Sequence, residues 1–152
     1  MKAVIQRVKD ATITVENKVV GQITSGLLIY YGVDTTDNES YCSKFCEKIL
    51  KMRIFEDENG KMNKSVIDLN LEVLLVSQFT LSADVYKGNR PSFDTAAKPD
   101  LAIPCYERMI KEFKERGIVV QTGVFGAHMD VMYLNDGPIT FLLNSDTMNL
   151  KN

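Results

Sequence analysis

Over the first third of the chain, apolar residues recur at every second position or in short unbroken runs, which is the spacing of strands. Residues 3–8, 11–15, 19–24 and 26–33 are predicted as strands, with a hairpin turn around Glu16, Asn17 and Lys18. The run GLLIYYGV at 26–33 is almost wholly apolar and aromatic, so it should be a central strand covered on both faces. The period then changes. Thr36, with Glu39 three residues later, reads as a capping box opening a helix that continues to about Met52. Cys42, Phe45, Cys46, Ile49 and Leu50 form its apolar stripe, and Glu39, Lys44, Glu47 and Lys51 face water.

Residues 53–55 suggest a short strand before a turn at Asp57, Glu58, Asn59 and Gly60. This acidic turn lacks the alternating ligands and closing glutamate of a calcium loop. The stretch LEVLLVSQFTLSA at 71–83 is apolar on both period-two faces at first and then turns polar. A strand of that kind lies inside a layered domain, and Ser77, Gln78 and Thr80 should leave the core at its end. That end is either a ligand site on a rigid element or simply a strand reaching solvent. Residues 84–98 are too polar and too rich in Gly and Pro for a core element, and predict a long loop.

A second helix is expected over 99–116, with Pro99 and Asp100 in its first turn and Gly117 as its stop. Pro104 predicts that the regular part begins only near Ile103. Glu107 with Lys111 and Glu112 with Arg116 read as helix-surface pairs. Strands follow at 118–124, 129–134 and 139–143. Between the last two lies Asn135-Asp136-Gly137-Pro138, which reads either as a hairpin turn on Asp-Gly or as a Gly-Pro cis peptide aiming its carbonyls at something.

Composition narrows the function. The 152 residues, 45% of them hydrophobic, fit a single mixed α/β domain over 1–152. A net charge of -2 argues against coating nucleic acid by bulk charge, so any RNA binding must come from a local site. Charged residues interrupt the N-terminal segment and no apolar run can span a bilayer; the expectation is a soluble, cytoplasmic protein without a membrane partner. Cys42 and Cys46, with Cys105 and the single His128, supply ligand types for zinc, but the close pair lies on an apolar helix stripe, where cysteine packs as a small hydrophobe. No metal or cofactor is expected. There is no GxSxG elbow, HExxH or phosphate-binding glycine loop. Ser77 and His128 with a carboxylate would make a triad only if the fold brought them together, giving an esterase for a small substrate.

SQFTL at 77–81, KGNRPSF at 87–93, TGVFGAHM at 122–129 and NDGPIT at 135–140, with KAVIQRV at 2–8, resemble the D-aminoacyl-tRNA deacylases from end to end. At His128, Val124 and Tyr86 the resemblance fixes no residue type. It implies mostly antiparallel, strongly twisted sheets forming a partly open barrel-like core with the two main helices outside. It also implies a homodimeric esterase that frees D-amino acids, and glycine, from tRNA while sparing L-aminoacyl-tRNA. In that family Ser77, Gln78, Phe79 and Thr80 would line the catalytic pocket. Gly137 and Pro138 of the other subunit would enter it as a Gly-cisPro motif held by Arg7, and Phe125 would pack on the terminal adenine. No DNA partner is implied. Because no general base is evident, the 2'-hydroxyl of the tRNA would assist the water, with Thr80 as a covalent nucleophile the competing route. A non-catalytic RNA- or nucleotide-binding module would use Lys87 and Arg90 on phosphate instead.

Overall fold

The computed structural model describes residues 1–148 and 150. Its first strand, β1 (Lys2–Val15), is one element where the sequence predicts two. Lys9 and Asp10 interrupt the apolar pattern without breaking the strand, because the pairing absorbs them as register shifts around Val8. A two-residue turn with positive φ at Glu16 and Asn17 leads into β2 (Lys18–Ile23), the geometry whose twist matches a hairpin. β3 (Gly26–Gly32) then continues along β1, so residues 11–15 pair with β2 and residues 2–8 with β3.

Beyond β3 the sheet turns parallel, through β6 (Glu72–Ser77) and β7 (Val120–Thr122). β7 comes back against β2, and a Cβ on Gly21 would lie 2.4 Å from the Thr122 carbonyl oxygen, so only glycine permits that approach. The circuit is thus nearly closed, joined there by close packing and not by a ladder. β3 and β6 are covered on both faces, as their runs predict. Leu27, Ile29, Val73 and Leu75 meet the helices, and Leu28, Leu74 and Val76 fill a second core with Val8, Ile13 and Ile23. Two short strands, β4 (Phe55–Glu56) and β5 (Met62–Lys64), form a separate hairpin around the Asp57 turn.

The first helix differs from expectation at its start. Asn38, not Thr36, is the cap: its side chain accepts the Ser40 N–H over a 3₁₀ turn, Glu39–Tyr41, which runs into α1 (Cys42–Leu50). The predicted stripe of Cys42, Phe45, Cys46, Ile49 and Leu50 is buried as expected. α2 (Pro99–Glu115) starts at Pro99 and carries Pro104 inside it, so the delayed start does not occur. Proline there forfeits one bond near the helix start, where few are yet made.

Glu112 is buried, contrary to a surface pair. Arg108 Nε donates to its Oε1 at 2.7 Å, and Arg116 Nη1 donates to its other carboxylate oxygen.

 Arg116 Nη1 also donates to the Glu112 carbonyl at 3.0 Å, while its Nη2 donates to the Ser43 hydroxyl of α1 at 3.0 Å. Lys111 pairs with Glu115 at 3.6 Å, not with Glu107.

The largest departure is β8 (Asp130–Asn144), a single 15-residue strand where two strands and a turn were open. It stays antiparallel to β1 on both sides of Asn135 to Pro138, which excludes the hairpin, and the Gly137–Pro138 peptide is cis. The two register shifts in β1 lie opposite this stretch, which leaves the ladder as a bulge and returns to it. No helix is long and apolar enough to cross a membrane among the described residues.

Candidate functional site

β6 ends where its sequence turns polar. The N–H of Gln78 makes a last bond to the Tyr31 carbonyl at 2.8 Å, and the chain then coils into a 3₁₀ turn, Phe79–Ser82, so the period-two reading stops at Ser77. Gly32 makes room for the turn: a Cβ there would lie 2.8 Å from the Gln78 carbonyl oxygen. Within the turn, Gln78 Nε2 donates to Thr80 Oγ1 at 2.6 Å. As the first residues of a 3₁₀ turn, Phe79 and Thr80 have N–H groups with no acceptor inside it.

This strand end opens on a cleft of about 480 Å³. Ser77, Gln78 and Phe79 line one side, Phe125 to Met129 another, Tyr30 to Val33 the floor, and Ala102 and Tyr106 of α2 the wall. Phe125 is placed by Tyr106, whose ring centroid is 5.8 Å away and whose hydroxyl donates to the Leu75 carbonyl at 2.9 Å. Burial pushes the Tyr106 phenol up to about 12, and burial together with neighbouring Tyr133 does the same to Tyr30, so both stay neutral. The contribution of α2 was not foreseen. Tyr106 lies on the buried stripe of a helix and carries no local mark of a site.

The remaining expected residues lie elsewhere. Gly137 and Pro138 are exposed on β8 and do not line this cleft in their own chain. Arg7 is buried beside them: its Nε lies 3.0 Å from Asp136 Oδ2, its Nη1 donates to the Ile54 carbonyl at 2.9 Å, and the Phe55 ring lies 6.0 Å away. Asn135 Nδ2 donates to the carbonyls of Arg7 and Ile139 at 2.9 and 3.1 Å, and Thr140 Oγ1 donates to that of Pro138 at 3.2 Å. The bulge is therefore tied on both sides. Lys87 and Arg90 project from an exposed loop outside the cleft.

His128 is at the cleft rim, its side chain 93% exposed and 3.6 Å from Asp130. No hydrogen bond joins it to Ser77 among the described residues, so the fold does not assemble that triad. The three cysteines are buried. Cys42 Sγ lies 3.5 Å from the Cys105 carbonyl oxygen and 3.7 Å from the Tyr31 hydroxyl, and the exposed histidine is not with them. Burial pushes the Cys46 thiol up to about 12. No group of three His, Cys, Asp or Glu able to hold a metal occurs among the described residues.

Comparison with known proteins gives one answer from sequence and one from shape. Residues 4–144 match the family model described as D-Tyr-tRNA(Tyr) deacylase. The D-aminoacyl-tRNA deacylase of Thermosipho africanus is 52% identical over 145 residues, covering 95% of this chain and 97% of that one. That of Thermotoga petrophila is 51% identical over 148 residues, covering 97% and 99%. Among solved structures, one titled c-Myc DNA Unwinding Element Binding Protein superposes with a TM-score of 0.89 at 39% identity, covering 95% of this chain and 98% of that one. A probable eukaryotic D-amino acid tRNA deacylase, 18% identical with a TM-score of 0.79 and covering 93% and 97%, shares the fold. With a family model matched over nearly the whole chain and relatives half identical along their full length, the chain belongs to the D-Tyr-tRNA(Tyr) deacylase family, hydrolases that act on aminoacyl-tRNA.

Proposed function

We propose that this chain hydrolyses the ester between a D-amino acid, or glycine, and the 3' end of tRNA, and that it spares L-aminoacyl-tRNA. The observation that carries the reading is the cleft, which gathers Ser77, Gln78, Phe79 and Phe125 around one space. An aromatic ring suits the terminal adenine. At the polar end, the N–H groups of Phe79 and Thr80 and the side chains of Ser77 and Gln78 are the donors that would hold the ester carbonyl as it gains negative charge.

A general base is the missing part. The one hydrogen-bond partner of the Thr80 hydroxyl among the described residues is the Gln78 amide, and an amide cannot take a proton. This favours a water assisted by the 2'-hydroxyl of the tRNA over a covalent threonine. Gly137 and Pro138 supply the selectivity in this reading, and they do so from a second copy of the chain. They are exposed, tied down by Arg7 through Asp136, and absent from their own cleft. β8 pairs only with β1 among the described strands and exposes Met132, Leu134 and Leu142, which supports a homodimer built on this strand. Lys87 and Arg90 are the cations for tRNA phosphate.

If carbonyls of the motif hold the amino group and the turn holds the ester, an L side chain is driven into fixed backbone, whereas glycine has no Cβ to exclude. D-tyrosyl, L-tyrosyl and glycyl esters on matched tRNAs test this. The D-tyrosyl and glycyl esters should be cut, and the L-tyrosyl ester at least about tenfold more slowly. Equal rates for the two enantiomers would refute exclusion, and a resistant glycyl ester would mean that the D side chain is recognised positively.

A further inference from the structure

The loop between the 3₁₀ turn and α2 carries a feature that the cleft does not use. Asp84 and Ser92 pair across its neck, with N–H to carbonyl distances of 2.8 and 2.9 Å. The neck is fixed to the site: the Phe93 ring meets Phe79 edge-on at 4.9 Å, and the Thr95 hydroxyl donates to the Ser82 carbonyl at 2.6 Å. The tip, VYKGNRP at 85–91, has two cations and no acid in a chain of net charge -2. On it Tyr86 is 94% exposed, next to the half-exposed Val85.

We propose that Tyr86 is a stacking platform for a base in the single-stranded 3' end of the tRNA. The inference rests on the deacylase reading above. Phe79 lines the cleft and packs on Phe93 at the neck of the loop, and from that neck Asp84 Oδ1 accepts the Tyr86 N–H at 2.9 Å, so RNA leaving the cleft along this loop meets an exposed ring on a segment tied to the site. A ring followed by Lys87 and Arg90 on the same loop tip suits single-stranded RNA, whose bases stack while its phosphates meet cations. A second copy of the chain is a poorer occupant, because the centre of a protein interface is depleted of lysine.

Fluorescence anisotropy with a labelled single-stranded RNA of the acceptor 3' end, a blunt RNA duplex as comparison, and the full chain tests this. Tyr86→Ala should weaken the single strand about tenfold and affect the duplex far less, while Tyr86→Phe should bind as the wild type does. Lys87→Ala and Arg90→Ala should each lower the salt slope by about 0.7. Unchanged affinity of Tyr86→Ala for the single strand, or equal losses on single strand and duplex, would overturn the proposal. So would a change in oligomeric state, read by light scattering, with RNA binding intact. Because this binding is read without any ester, stacking by Tyr86 in a protein that cleaves no D-aminoacyl-tRNA would sink the deacylase reading alone.

Discussion

Thr80 sits on the 3₁₀ turn next to Phe79 of the cleft without lining the cleft itself, and its hydroxyl is poorly armed. It accepts from the Gln78 amide at 2.6 Å, and no base is hydrogen-bonded to it among the described residues. Thr80→Ala should therefore retain substantial turnover, within about tenfold of wild type, since removal of one hydrogen bond costs about 1 kcal/mol. A substrate whose terminal ribose lacks the 2'-hydroxyl should be cut far more slowly. Loss of turnover in Thr80→Ala with tRNA binding intact, together with an acyl-enzyme in the wild type, would establish the covalent route instead.

Between elements, Glu112 is the polar tie of the helical layer. Burial pushes its carboxyl up, but hydrogen bonds from Arg116 and Arg108 outweigh burial and the net direction is down from 4.5. A depressed carboxyl contributes stability above its unfolded value, and that contribution is lost as the pH falls through the folded one. Glu112→Gln should thus cost about 1.5–3 kcal/mol at neutral pH, the range of hydrogen bonds to charged groups. Denaturant unfolding of both proteins should show the gap narrowing as the pH drops below 4.5. A gap independent of pH would mean that the side chain acts through packing alone.

For the whole molecule, the exposed strand β8 makes the strongest demand. Met132 and Leu142 are 77% and 74% exposed on a strand with a single partner among the described residues, an arrangement that proteins normally cover or blunt. Light scattering should give a dimer, and Leu142→Glu should shift it toward monomer with loss of deacylation. A fully active monomer would end the model of a site shared between two chains.

Local pattern was enough for much of this protein. The stripe of α1, the doubly covered strands β3 and β6, and the polar end of β6 at Ser77 were all legible, because burial on one or two faces imposes its period directly on the sequence. The motifs SQFTL and NDGPIT gave the family. What pattern could not decide lay wherever distant residues supplied the missing partner. Asn135 to Pro138 looks like a turn, and only pairing with β1 on either side keeps β8 straight through it. Glu112 and Arg116 look like a surface pair, but Glu112 is buried and Arg116 reaches across to the Ser43 hydroxyl of α1. Tyr106 reaches the cleft only because α2 lies across β6, where its hydroxyl finds the Leu75 carbonyl. In each case the deciding bond or contact joins residues far apart in sequence, and periodicity carries no record of such contacts.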